Sequence, residues 1–276
     1  MSGRKGLFYK LIAGKIYGEM MSRQDTTEEF LNSLPELEEG KTFAFSCHPG
    51  VKCFNACCGD LHLMLTPYDV LRLRKGLGHD SKKFIHNHVD VSSTSGVGFP
   101  MAKLRMLDNS KRSCPFVRDE GCSVYENRPG ACRTYPLGRA SQMDSEGGMI
   151  EQFFVVQEPH CRGFEEKKEW SSGEWLKDQG LEEYNEVNDR YMRIMTRARK
   201  AGIVLDEKKL NMVFLALYQV DNFVNFVKDM NVFVRLDVTE ERQAAILSDE
   251  EACLSFALDW VELIVLGSSE NLKPKM

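Results

Sequence analysis

The sequence predicts an α+β chain in which a small, loop-rich module with short strands is flanked by an N-terminal helix and a mostly helical C-terminal domain. Three observations predict it. Eight of the nine cysteines fall between Cys47 and Cys161, in a stretch broken by Pro and Gly. Within that stretch, apolar residues alternate over short runs, as on a strand. Beyond about residue 162 they recur every three or four residues between capping motifs, as on helices. The expected divisions are an N-terminal helical segment at 1–41, the cysteine module at 42–165 and a helical domain at 166–276.

The elements follow in order. Phe8, Leu11, Ile12, Ile16 and Met20 recur at helical spacing, and residues 1–40 read as helical up to the acidic Pro35–Gly40 stretch. Thr42 to Ser46 reads as a short strand, and Leu61, Leu63 and Leu65 alternate as a second. Thr66-Pro67-Tyr68-Asp69 is a helix start: Thr66 caps, Pro67 suits the first helical position and Asp69 completes a capping box. That helix should stop near Gly76 or Gly78, and Asp80 should cap the next, carrying Phe84, Ile85 and His88. Ala102, Leu104 and Met106 predict a strand, as does Gln152 to Val156.

In the C-terminal part, Ser171 and Glu174 form a capping box ahead of Trp175, with Gly180 as the stop. Tyr184, Val187, Tyr191, Ile194 and Ala198 mark one stripe of a longer helix ending at Gly202. Asp206 should cap a helix running to about Met230, followed by a strand at Phe233 to Val238. Ser248-Asp-Glu-Glu251 should cap the last helix, ending at Gly267. Cys253 sits inside that helix among Leu254, Phe256 and Ala257 and reads as core.

Charge narrows the function. The chain is 42% hydrophobic and 28% charged, which excludes wholesale disorder, and its net charge of −5 lacks the basic excess of a general nucleic-acid binder. The three segments 1–46, 47–161 and 162–276 carry −1, +2 and −6. The cysteine stretch is the net-positive one, with Arg105, Arg112, Arg118, Arg128, Arg133 and Arg139 among its cations. Guanidinium groups of this kind stabilise the negative charge of metal-bound thiolates. No run approaches the length of a membrane span. Lysines interrupt the apolar residues near the start, and no small-residue cleavage site follows. The expected compartment is therefore the reducing cytosol, where clustered cysteines indicate metal or redox chemistry and not structural disulfides.

The cysteines run Cys47-x5-Cys53-x3-Cys57-Cys58, then Cys114-x7-Cys122-x9-Cys132, then Cys161. Soft thiolates select zinc, cuprous copper or iron–sulfur clusters over oxygen-seeking ions. Paired C-x2-C knuckles, the usual mark of structural zinc, do not occur, and the irregular spacings suit a larger cluster. Candidate metal ligands are thus Cys47, Cys53, Cys57, Cys58, Cys114, Cys122, Cys132 and Cys161. Adjacent Cys57 and Cys58 should point apart, each serving a different metal or one binding while the other packs. Eight thiols admit two four-cysteine sites or one site with cysteines to spare.

The strings CFNACC (53–58), CPF (114–116), GCSVYENRPGACRTYPLGR (121–139) and HCRGF (160–164) resemble the YkgJ-type cysteine-cluster family. The resemblance covers about residues 42–165, and Cys122 to Arg133 is its most specific part. It implies a zinc- or iron-chelating, or iron–sulfur, protein. The family opening is nearer C-x2-C-x2-C-C, from which Cys47-x5-Cys53-x3-Cys57-Cys58 departs. One related branch, the flagellin lysine N-methylases, implies an iron–sulfur centre used with S-adenosylmethionine, although no recognisable motif for that cofactor is present here.

Three functions remain open. The leading one is an iron–sulfur protein, most simply with one [4Fe–4S] cluster, in electron transfer, redox sensing or maturation, with a protein redox partner. The others are a structural zinc module presenting a partner surface and a protein-modifying enzyme related to the N-methylases. Arg128 and Arg133 should donate hydrogen bonds to sulfur or to a structural carboxylate such as Glu126. His48 and His160 each neighbour a cysteine and are alternative ligands. No Ser/His/Asp, HExxH or phosphate-loop pattern occurs, so catalytic residues are not identified.

Overall fold

The computed structural model describes residues 35–94, 96–143 and 148–275. The helix expected over residues 1–40 lies, up to position 34, outside the described residues. Strand β1 (Thr42–Ala44) leads through a run of turns to β2 (Met64–Leu65). The Thr66 capping box starts α1 (Pro67–Gly76): the Thr66 hydroxyl accepts from the Asp69 N–H, and Asp69 Oδ2 accepts from the Thr66 N–H at 2.8 Å. Asp80 accepts from the Lys83 N–H to start α2 (Ser81–His88). Then come β3 (Val89–Ser93) and β4 (Pro100–Leu104), forming with β2 a sheet in the order β2–β4–β3.

Past β4, the hairpin of β5 (Val117–Arg118) and β6 (Gly121–Cys122) precedes a short helix, α3 (Gly130–Thr134). Strands β7 (Leu137–Met143) and β8 (Met149–Val155) pair antiparallel with Leu137 opposite Val155, and β9 (Glu169–Ser171) pairs with β1, Phe43 opposite Trp170. Helices then take over: α4 (Ser172–Asp178), α5 (Glu182–Lys200), α6 (Glu207–Tyr218), α7 (Val220–Asp229), α8 (Glu240–Ser248) and α9 (Glu250–Leu266). The architecture is α+β with a helical C-terminal region, and none of the described helices is long and apolar enough to cross a membrane.

Three local expectations are corrected. The helix predicted from Asp206 to Met230 breaks at Gln219 (φ −128°, ψ 55°) into α6 and α7. No Gly or Pro marks that break, so propensity carried no signal of it. The strand predicted at Phe233–Val238 is instead a single 3-10 turn, Val232–Val234, followed by a lone bridge from Leu236 to Pro274. Helix α8, capped by Thr239, was not predicted.

The chain divides by packing into two compact units. One comprises the described chain up to Met64 together with Lys103–Asn185; the other comprises Leu65–Ala102 and Glu186–Met276. The stretch between the two cysteine groups therefore belongs with the helices from residue 186 onward. The first unit buries an aromatic cluster of Phe43, Phe45, Leu137, Trp170 and Trp175, with Cys161 packed against it. Trp170 Nε1 donates to the Phe45 carbonyl and Trp175 Nε1 to the Thr134 carbonyl, both at 2.9 Å, so neither indole is buried with its donor idle.

The second unit packs α1, α2 and α6 to α9 around Leu71, Phe84, Phe223, Phe256 and Trp260. Phe223 and Trp260 sit with ring centroids 5.2 Å apart. Cys253 lies in this core and its thiol is pushed up to about 12, mainly by burial. A buried carboxylate organises the far side: Asp259, 3% exposed, accepts from Arg190 at 2.8 Å, Arg242 at 2.5 Å and Asn271 at 3.2 Å. Removing it leaves two guanidinium groups short of their acceptor. Asp259→Ala is expected to lower unfolding stability by roughly 2–4 kcal/mol, measured as a shift of the urea midpoint with unchanged slope.

Candidate metal centre

The loop carrying the first four cysteines curls through successive i to i+3 turns. The His48 carbonyl accepts from Val51, Val51 from Phe54, Cys53 from Ala56, and Asn55 from Cys58, at 2.9–3.1 Å. Asn55 takes a left-handed conformation (φ 64°), which Asn tolerates well, and its side-chain amide donates to the Arg118 carbonyl at 2.9 Å. The loop is therefore pinned to the β5–β6 hairpin.

Two backbone approaches bring the distant cysteines to this loop. The Cys114 N–H donates to the Cys58 carbonyl at 2.9 Å, and Gly59 bridges to Ser113. A Cβ on Gly59 would stand 2.9 Å from the Lys111 carbonyl oxygen, so a side chain is excluded there. The hairpin then places Cys122 opposite Val117. At the other end, the Ser46 N–H donates to the Gly163 carbonyl at 3.1 Å, and the Arg162 N–H donates to Cys53 Sγ at 3.0 Å. A Cβ on Gly163 would come within 2.6 Å of the Phe45 ring and 2.7 Å of the Ser46 oxygen. Glycine is what permits that contact.

All nine cysteines are free thiols. Electrostatically, the eight clustered ones fall into two sets. Cys47, pushed up to about 11 by burial, also feels Cys57, Cys53 and Cys161. Cys58 interacts with Cys57, Cys132 and Cys114, and Cys114 in turn with Cys122. The sets meet at the Cys57–Cys58 step, where a hydrogen bond between the two side chains holds the Cys57 thiol below its ordinary range and the Cys58 thiol above it. Burial raises Cys114, Cys122 and Cys161, opposed by backbone N–H groups aimed at their sulfurs: Phe116 and Val117 at Cys114, Val124 at Cys122, and Gly163 at Cys161. Among the described residues, no group of three or more His, Cys, Asp or Glu side chains is arranged to hold an ion as it stands. The donors are gathered but not converged.

Arg128 and Arg133, each 8% exposed, brace the segment bearing Cys132. Arg133 donates to the backbone carbonyls of Arg128 at 3.1 Å, Gln179 at 2.7 Å and Glu126; Arg128 donates to the Tyr125 carbonyl at 2.6 Å and to Gln179 Oε1. The acceptor offered by Glu126 is its carbonyl, where the sequence suggested its carboxylate. Arg128 also lies 3.8 Å from the Tyr125 ring centroid, and its charge favours the thiolates of Cys47 and Cys122. Arg118 acts likewise on Cys114 and Cys122.

Residues 46–167 match the model of a family, CxxCxxCC, described as a "putative zinc- or iron-chelating domain". This segment is similar to that family. Searches of curated proteins and of solved structures returned no match.

Two residues of the matched segment escaped the sequence reading. The Tyr135 hydroxyl lies beside the Cys161 thiol, and burial, reinforced by that neighbour, holds the phenol well above its ordinary range. Glu158, 4% exposed, has its Oε1 buried without a hydrogen-bond partner, and burial raises its carboxyl. Its charge reaches Cys57, placing it beside the first set. The available signal for Glu158 was its position three residues before Cys161, in a turn closed by the Cys161 N–H donating to the Glu158 carbonyl at 2.9 Å. Of the histidines considered, His48 Nδ1 accepts from the Gly50 N–H at 3.1 Å and its Nε2 lies 3.6 Å from Glu166, while His160 is exposed next to Glu158.

The contrast between two glycines tests the role of close approach. Gly163→Ala is expected to lower stability by roughly 1–3 kcal/mol through overpacking. Gly173→Ala, in α4 with nothing within 4 Å of its would-be Cβ, should be neutral or stabilising by up to about 1 kcal/mol. Denaturant unfolding of both variants beside the parent chain makes the comparison.

Proposed function

We propose that the matched segment holds an iron–sulfur centre, most simply a [4Fe–4S] cluster, and serves a redox, electron-transfer or maturation role in the reducing cytosol. The observation that carries this reading is the gathering of eight free thiols under backbone and side-chain donors aimed at sulfur. The chemistry of the donor set fits: thiolates hold iron–sulfur clusters, and hydrogen bonds to sulfur set their potentials. Four cysteines suffice to hold one such cluster, which supplies one-electron chemistry when bound.

The chain's own groups prepare that role. Amide N–H groups of Phe116, Val117, Val124, Arg162 and Gly163 and the Tyr135 hydroxyl lower the cost of carrying negative charge on sulfur. Arg118 adds positive charge beside the second set, and Arg128 beside both. The aromatic cluster under Cys161 shields one side from water. Partial exposure of most of the clustered thiols leaves a route for electrons to a protein partner.

A second reading, a structural zinc module, is favoured by one observation. Strands β5 and β6 have two residues each, and so little hydrogen bonding needs a cross-link to hold Cys114 and Cys122 in place. Anaerobically prepared protein is expected to be brown, to contain iron and acid-labile sulfide, and to lose visible absorption on reduction while gaining an EPR signal. Colourless protein holding stoichiometric zinc after expression with ample iron would exchange the first reading for the second.

A further inference from the structure

We infer that the eight thiols form two separate centres, Cys47, Cys53, Cys57 and Cys161 in one and Cys58, Cys114, Cys122 and Cys132 in the other, each binding its own soft metal ion or cluster. This deepens the metal–thiolate reading above and rests on it. Backbone geometry carries the division. The Ser46–Gly163 hydrogen bond and the Arg162 N–H to Cys53 Sγ bond bring the flanks of Cys47 and Cys161 to Cys53. Independently, the Cys114–Cys58 backbone bond and the β5–β6 hairpin bring Cys114 and Cys122 to Cys58. Cys57 neighbours Cys47, whereas Cys58 neighbours Cys114 and Cys132, so the adjacent pair, joined by a hydrogen bond between its side chains, stands where the two sides meet.

The two centres differ in surroundings. The first has the Tyr135 hydroxyl beside Cys161 and the buried Glu158 carboxyl near Cys57. The second is closed by the hairpin and flanked by Arg118, while the charge of Arg128 reaches both. On metal binding, each thiol that ligates gives up its proton to solvent as a metal–sulfur bond forms, and the shared Cys57–Cys58 hydrogen bond is replaced by one bond to each metal.

The test uses the full chain, reduced and stripped of metal, titrated anaerobically with cobalt(II) while the sulfur-to-cobalt absorption is followed. Two equivalents per chain are expected. Cys53→Ser/Cys161→Ser and Cys114→Ser/Cys122→Ser should each lose one of the two, whereas the crossed pair Cys53→Ser/Cys122→Ser should lose tight binding at both centres. Saturation of the parent chain at one equivalent would overturn the two-centre assignment and leave the metal reading standing. Absence of any cobalt–thiolate absorption in the parent chain would sink both. The parent stoichiometry needs no variant, so the assignment stays testable even if a substituted chain fails to fold, which circular dichroism reports.

Discussion

The approach of Gly163 to Phe45 and Ser46 is the contact on which the rest of the first unit depends. It joins the last cysteine segment to the first through a backbone hydrogen bond of 3.1 Å, with no space for a methyl group between them. The same contact seats Phe45 in the aromatic cluster, where its ring meets Phe164 and Trp175 edge-on. Packing and metal chemistry are thus coupled through one glycine. Apolar burial holds the two segments together, and their proximity gives sulfur atoms more than a hundred residues apart a common environment.

Around that contact, the arginines of the domain serve as braces more than as sulfur ligands' partners. Arg133 satisfies three backbone carbonyls across the segment from Glu126 to Gln179. A planar, permanently charged fork suits this role in a region with little regular secondary structure, because it replaces several ladder hydrogen bonds at once. Arg128 combines the two tasks, bracing Tyr125 and Gln179 while its charge reaches the thiols. The Pro-restricted string around Cys132 therefore has a mechanical account that does not depend on any metal.

Much of the helical framework was legible because its signals are local. Thr66 and Asp69, Asp80, Ser171 and Glu174, and Asp206 act as caps through hydrogen bonds spanning three residues, and the sequence displays them directly. The break at Gln219 was not legible, since no residue there disfavours helix, and the strand expected at Phe233–Val238 gives way to a 3-10 turn over Val232–Val234. At the candidate site, the cysteines announce themselves by type. Their partition could not be read, because spacing along the chain says nothing of which loop folds back on which. Glu158 was hidden for the same reason: an ordinary surface residue by type, it is buried by tertiary structure alone.

The interleaving of the two units bears on how this protein can be dissected. The chain leaves the first unit within β2 and returns to it within β4, so the segment 46–167 matched by the family model contains residues 65–102 but not the helices with which they pack. Cut out at those limits, that segment would present Leu71, Leu73, Phe84 and Phe99, all buried in the intact chain, to solvent. Boundaries drawn by sequence similarity are therefore poor guides for recombinant fragments here. A shortened version that stays soluble would need the excursion replaced by a brief linker joining the flanks of β2 and β4.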